Sequence, residues 1–208
     1  MRKVGITQRV ERVESYGETR DALDEKWSEL LLELDFVPIP LPNIAPKSVS
    51  SLLDALGLDA IIFSGGNSLG VLDESASDVA PQRDAFEAKL LSEAIKRGIN
   101  ILGVCRGMQM INSQMGGTLS KIKGHIATKH PIFSQSSKYH FTKSVNSYHS
   151  WAISLEQLSN KLEPLALDEE SYVEAFACED KHILGIMWHP ERETPFNIDD
   201  KQLLKRFL

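Results

Sequence analysis

NILGVCRGMQMIN, residues 100–112, runs from a short apolar segment into a cysteine, and from there into an arginine, a glycine and an amphipathic stretch. A brief apolar run with β-branched members, cut off by turn residues, reads as a buried strand, and MQMINSQM after it reads as a helix. Gly103 and Gly107 stand two residues either side of Cys105. Glycines there permit a tight strand-to-helix turn that lifts its central side chain above a sheet. A helix start behind Cys105 favours a nearby negative charge by ~0.3–1 kcal/mol. The competing reading is a buried strand-end cysteine that packs as a small hydrophobe, and this stretch alone leaves the two level.

Working outward, KVGIT (residues 3–7), FVPIP (36–40), DAIIFSGG (59–66) and NILGVC (100–105) are strand-like runs. Helical spacing of apolar residues fills 21–34, 48–56 and 83–97, the last ending at Gly98. Alternating strands and helices predict an α/β fold, three-layer and flavodoxin-like, with a mostly parallel sheet and helices on both faces. In the second half, HFTKSVNSYH (140–149), LEPLAL (162–167), YVEAFACE (172–179) and ILGIMWHP (183–190) follow at short spacing, as additional antiparallel strands would. Neither a repeat nor a linker interrupts the chain, so one domain over residues 1–208 is expected. Residues 67–82, rich in Ser, Asp and Gly, read as a long loop near a strand's carboxyl end, placed as a lid would be.

A hydrophobic content of 42% in 208 residues supplies one well-covered core. The net charge of −6 argues against a nucleic-acid surface. No run is long enough for a membrane span or a signal-peptide core, which gives a cytoplasmic expectation. In that reducing compartment the two cysteines, Cys105 and Cys178, are separate thiols. The histidines and cysteines lack the paired spacing of a zinc site, so no metal is expected. There is no Walker loop and no dinucleotide fingerprint.

Chemistry gathers elsewhere. In GIMWHPERE (185–193), His189 and Glu191 are one residue apart, so an extended backbone would point both to one side and let the carboxylate orient the imidazole. With Cys105 they supply nucleophile, base and orienter in the order Cys, His, Glu. FSGGNS (63–68) ends the neighbouring strand in two glycines. The Gly66 amide there and the Arg106 amide after the nucleophile are candidate oxyanion donors.

Taken in order, RDAFE (83–87), GVCRGMQ, GGTL (116–119), VNSYH (145–149) and WHPE (188–191) resemble the class I glutamine amidotransferases. More narrowly they look like the γ-glutamyl hydrolase-like branch, peptidase family C26, and the likeness runs from Lys3 to about Pro195. The resemblance implies a Cys105, His189, Glu191 triad that needs no cofactor, with Gly66 and Arg106 as the oxyanion hole. It places Gln109 against the γ-glutamyl group, and Ser147, Tyr148 and His149 against the glutamyl α-amino and α-carboxylate groups; for His149, packing beside Trp151 is the alternative. Many members of the branch follow the double glycine with aspartate and proline, where this chain has GGNSLGVLD. The implied partner is a small γ-glutamyl substrate rather than an obligate synthetase. A nucleotide-linked leaving group is one option, for which Arg9 and Arg12, just past the first strand, offer positive charge. Lys121, Lys123, His125 and Lys129 form a second basic group. A glutaminase subunit that feeds ammonia to a synthetase, and a non-catalytic regulatory relative, stay open.

Overall fold

The computed structural model describes residues 1–208. An eight-stranded sheet runs in the order Phe36–Leu41, Arg2–Thr7, Ala60–Phe63, Asn100–Val104, Ile183–Ile186, Val173–Cys178, Glu163–Leu167, Phe133–Ser134. The first five strands are parallel and the last three turn antiparallel. Ile183–Ile186 is thus not one of the antiparallel additions the sequence suggested; it extends the parallel part beside Asn100–Val104.

Side-chain alternation divides the core between the two faces of the sheet. Ile62, Leu102 and Val104 face one side with Trp27, Leu30 and Trp188, while Ile61, Phe63 and Ile101 face the other with Phe86, Leu90 and Met108. Helix α1 (Glu25–Glu33) buries Trp27, Leu30 and Leu31, and starts where the Asp24 carboxylate accepts from the Lys26 amide. It begins four residues later than its periodicity suggested. Residues 18–22 instead pair with Arg9–Val13 in an exposed hairpin, so Arg9 and Arg12, just past the first strand, sit on a strand of their own. Helix α2 (Val49–Leu56) and helix α3 (Pro81–Arg97) both end on left-handed glycines, Gly57 and Gly98. Helix α4 (Arg106–Gln114) follows Cys105 directly. A C-terminal helix, α5 (Ile198–Phe207), is capped by Asn197 and buries Leu203 and Leu204; the sequence reading assigns nothing there. No helix is long and apolar enough to cross a membrane.

The glycines around Cys105 serve close approach rather than turn geometry. A Cβ on Gly107 would lie 1.9 Å from the Phe63 carbonyl oxygen, and one on Gly103 would lie 2.8 Å from the Met108 nitrogen. Helix α4 therefore sits hard against the ends of two strands. The positive φ, 51°, falls on Cys105 itself, a conformation that costs a residue with a side chain about 1–3 kcal/mol and is typical of functional turns.

Candidate active site

The parallel strands deliver the candidate residues to one edge of the sheet. Cys105 ends Asn100–Val104, its amide donating to the Ile186 carbonyl at 2.9 Å. That bond fixes the elbow to the strand that leads into His189. His189 stands near enough to Cys105 to feel its charge, and its Nδ1 lies 2.7 Å from Glu191 Oε1. All three side chains are almost fully buried. The His–Glu pair is not made by an extended backbone as expected, because Pro190–Arg192 forms a short 3₁₀ turn that folds the carboxylate back onto the ring. Burial alone would lower the His189 pKa, but the negative charges of Cys105 and Glu191 outweigh it and raise it to about 9.

Asn146 holds His189 in place. Its Nδ2 donates to the His189 carbonyl at 2.8 Å, and its Oδ1 accepts from the His189 amide at 2.9 Å. Tyr148 sets its ring edge-on to the imidazole with centroids 5.8 Å apart, and the Arg192 guanidinium covers the same ring at 4.4 Å.

Residues 64–66 are held from beneath by Arg83. Its Nη1 donates to the carbonyls of Gly65 (3.0 Å) and Gly66 (2.6 Å), and its Nη2 to that of Ser64 (2.8 Å). A trans peptide points its N–H opposite its C=O, so the bond to the Gly65 carbonyl turns the Gly66 amide away from Arg83. His189 lies against Gly65, where a Cβ would come within 2.6 Å of its Cε1. Arg106 is the first residue of α4, and its amide has no acceptor within the helix. Both expected oxyanion donors are thereby left available.

A buried ion network supports this arrangement. Arg83 Nε lies 2.9 Å from Glu87 Oε1, and the Arg106 guanidinium bonds Glu87 and Asp84. Burial and Arg106 lower the Arg83 pKa to about 10 against the pull of Glu87. For Glu87, burial would raise the pKa, but Arg106, Arg83 and a hydrogen bond from Thr7 together take it below its ordinary value. Within RDAFE the i,i+4 spacing of Arg83 and Glu87 is a signal for their pairing, whereas nothing along the chain points to the Arg106 side chain as a third member. No spacing along the chain marks Asn146 or Arg192 for their contacts either.

The other expected contacts separate. Gln109 donates to the Trp151 carbonyl at 3.2 Å. The Ser147 hydroxyl is fully buried and donates to the His125 carbonyl at 2.8 Å, so its side chain is not turned to a ligand. His149 bonds the Trp151 carbonyl through Nδ1 at 2.9 Å and faces Glu174. Burial lowers the His149 pKa to about 4. Burial, Asp168 and Cys105 push Glu174 well above the usual carboxylate range. Arg9 lines a cleft of about 340 Å³ with Gly65, Gly66, His189, Glu191 and Arg192. Arg12 instead lines a neighbouring groove with Asn67 and Asp78. The second basic group is largely neutralised, with Lys121 on Asp73 at 2.8 Å, Lys129 on Glu193 at 2.7 Å, and His125 buried.

Asn67, which departs from the resembled pattern, has a structural use. Its Oδ1 accepts from the Val10 amide at 2.7 Å while its Nδ2 donates to the carbonyls of Val10 and Asp78, both at 3.0 Å. One amide thus ties the Arg9–Val13 hairpin to the 67–82 loop. Aspartate could accept but not donate. Asn67→Asp is expected to raise KM severalfold with kcat nearly unchanged, and to speed proteolytic nicking of the hairpin; an unaltered KM and digestion pattern would count against this tether.

The peptidase C26 family profile matches residues 3–191. The chain belongs to the peptidase C26 family. It is 35% identical over 207 residues to the γ-glutamyl-CDP-amidate hydrolase of Campylobacter jejuni, an alignment that covers 98% of this chain and 96% of that protein. It is 30% identical to protein NtpR of Enterococcus hirae, with 85% and 84% covered. Among solved structures, a glutamine amidotransferase from Thermotoga maritima superposes with a TM-score of 0.68 at 18% identity, covering 99% of this chain and 83% of that one. That likeness shows a shared fold. The C26 membership accounts for the ordered strings of the sequence, and the strained Cys105 elbow facing His189 is the geometry on which a cysteine hydrolase of this family would draw.

Proposed function

We propose that this protein is a cysteine-dependent hydrolase of γ-glutamyl amides that releases glutamate and an amine through a γ-glutamyl thioester on Cys105. The observation that carries the reading is the buried Cys105, His189, Glu191 constellation at the strained elbow. Cys105 attacks the γ-carbonyl, and the Gly66 and Arg106 amides take the developing oxyanion; one such donor is typically worth about 2.7–4 kcal/mol of barrier. The His189 imidazolium protonates the departing nitrogen. Once the thioester forms, the sulfur carries no charge, so the stronger of the two influences that raise the His189 pKa disappears. His189 then serves as base toward water. One residue is acid in the first half-reaction and base in the second because its neighbour's charge comes and goes.

The sign of the pH dependence follows. The raised pKa keeps His189 protonated at neutral pH, so acylation should hold level up to pH about 9 and fall above it. Glu191→Gln removes one raising charge and should move that falling limb to lower pH, with a loss of about 10²- to 10⁴-fold in rate. Single-turnover amine release measured against pH checks this, and a limb that stays in place in the variant contradicts it.

For the leaving group, we propose a nucleotide diphosphate conjugate of the kind named for the Campylobacter relative. Arg9 and Arg192, which line the cleft beside His189, support this reading. Glutamate release from γ-glutamyl nucleotide conjugates, from simple γ-glutamyl amides and from glutamine tests it. Arg9→Ala should raise KM for the nucleotide conjugate about tenfold, as lost phosphate contacts of ~1.4 kcal/mol would, and leave the simple amide unchanged. Equal losses on both substrates would remove the diphosphate assignment, and fast glutamine hydrolysis would favour a glutaminase.

A further inference from the structure

Spacing gave no zinc site, yet the fold assembles a compact donor set behind the catalytic residues. His125 precedes the Ile126–Pro131 strand, His130 lies within it, His149 follows Ser144–Tyr148, and Glu174 belongs to Val173–Cys178. One ligand atom from each lies within 4.8 Å of the others. His149 Nε2 is 3.7 Å and His130 Nε2 is 3.9 Å from the same oxygen, Glu174 Oε1.

The hydrogen bonds behind the rings define what faces inward. His149 Nδ1 meets the Trp151 carbonyl at 2.9 Å and His130 Nδ1 meets the Pro131 carbonyl at 3.2 Å. A carbonyl only accepts, so both Nδ1 atoms carry the hydrogen, and in the neutral ring each Nε2 presents a lone pair. Neither Nε2 has a hydrogen-bond partner, and the same is true of His125 Nδ1 and of both Glu174 oxygens. The Glu174 and His149 side chains are each 1% exposed. Asp168, 3.9 Å from His125 Nε2, stands behind the third ring.

Buried polar atoms without a hydrogen-bond partner are costly, and here unpaired atoms of all four residues converge. An imidazole backed by a hydrogen-bonded carbonyl, as His130 and His149 both are, is the arrangement by which proteins orient metal ligands. Ligands at the usual ~2.0–2.1 Å from a tetrahedral zinc stand ~3.4 Å apart; the His149 and His130 separations from Glu174 are within a few tenths of an ångström of that, and donors as far as 4.8 Å apart have to draw together by about 1.4 Å. Three nitrogens and one carboxylate oxygen suit zinc rather than calcium or magnesium, which take oxygen ligands.

We propose that His125, His130, His149 and Glu174 bind one zinc-type divalent cation that pins the Ile126–Pro131 and Ser144–Tyr148 hairpin to the central sheet. Four protein donors fill a tetrahedral shell, so the ion is structural rather than catalytic. Its effect reaches the active site through the hairpin, which carries Asn146 and Tyr148, the residues that hold and flank His189. It reaches α4 as well, because the Trp151 carbonyl bonded by His149 also accepts from Gln109.

The test is metal content. Full-length protein is stripped with a chelator, incubated with zinc, dialysed and measured by elemental mass spectrometry. Wild type and Cys105→Ala are expected to retain about one zinc per chain, which separates this site from a thiolate site. His130→Ala and Glu174→Gln, each checked for native circular dichroism, should retain at least about tenfold less. Cobalt in place of zinc should give intense tetrahedral visible bands without thiolate charge transfer, and zinc should raise the melting temperature of wild type but not of His130→Ala. A wild-type protein that emerges without zinc overturns the proposal. So does zinc that both ligand variants retain in full, or zinc that is lost in Cys105→Ala. If a ligand variant does not fold, the wild-type stoichiometry and the cobalt spectrum decide.

Discussion

Cys105→Ala is expected to lower glutamate release on the order of 10⁶-fold, since removing the nucleophile of a concerted triad costs about as much as removing the whole triad. The fold should survive. Cys105 is anchored through its backbone amide, which donates to Ile186, and through its carbonyl, which accepts from Gln109, and alanine keeps both bonds. Far-ultraviolet circular dichroism and thermal melting should therefore overlay wild type while turnover disappears. Residual activity within about 10²-fold of wild type would mean that the constellation is not acting as a nucleophilic unit. The same variant should fail to accumulate the thioester that a slow γ-glutamyl substrate builds up on wild type, as intact mass spectrometry can show.

Glu87→Ala should be the most destabilising single change near the site, by about 3–5 kcal/mol, because it leaves Arg83 and Arg106 as buried charges that have lost a partner. Glu87→Gln keeps the volume and should cost less. The sign with pH is fixed by the lowered pKa of Glu87: its stabilising contribution is present above the ordinary value of 4.5 and is lost as pH falls through the depressed folded value. Urea unfolding should show this acid-side loss in wild type and a smaller one in Glu87→Gln. Because Arg83 also aligns the Ser64, Gly65 and Gly66 carbonyls, kcat should fall along with stability. A stability loss below about 1 kcal/mol would place the network among weakly coupled surface pairs.

The local pieces were legible from the chain alone. Apolar runs of four to six residues bounded by turn residues marked the parallel strands, and Cys105, His189 and Glu191 could be chosen because nucleophile, base and orienter carry distinct chemistry in short strings. The hairpin at residues 9–22 leaves no mark in the sequence because its charged, exposed strands have no buried face to impose a period of two. The glycines were read for the wrong reason, since a sequence shows glycine but not which atom would collide with a Cβ. Pairing across segments was invisible as well: Arg106 meets Glu87 across 19 residues, and Asn146 meets His189 across 43.

The sequence by itself determined the layered α/β plan and singled out Cys105, His189 and Glu191 as the proposed triad, because strand periodicity and residue chemistry are local properties. Only the tertiary structure decided what surrounds them. The Arg83 clamp on residues 64–66, the Asn146 grip on His189 and the convergence of three histidines on Glu174 all depend on long-range sheet order, which brings distant segments together where no spacing rule along the chain can reach.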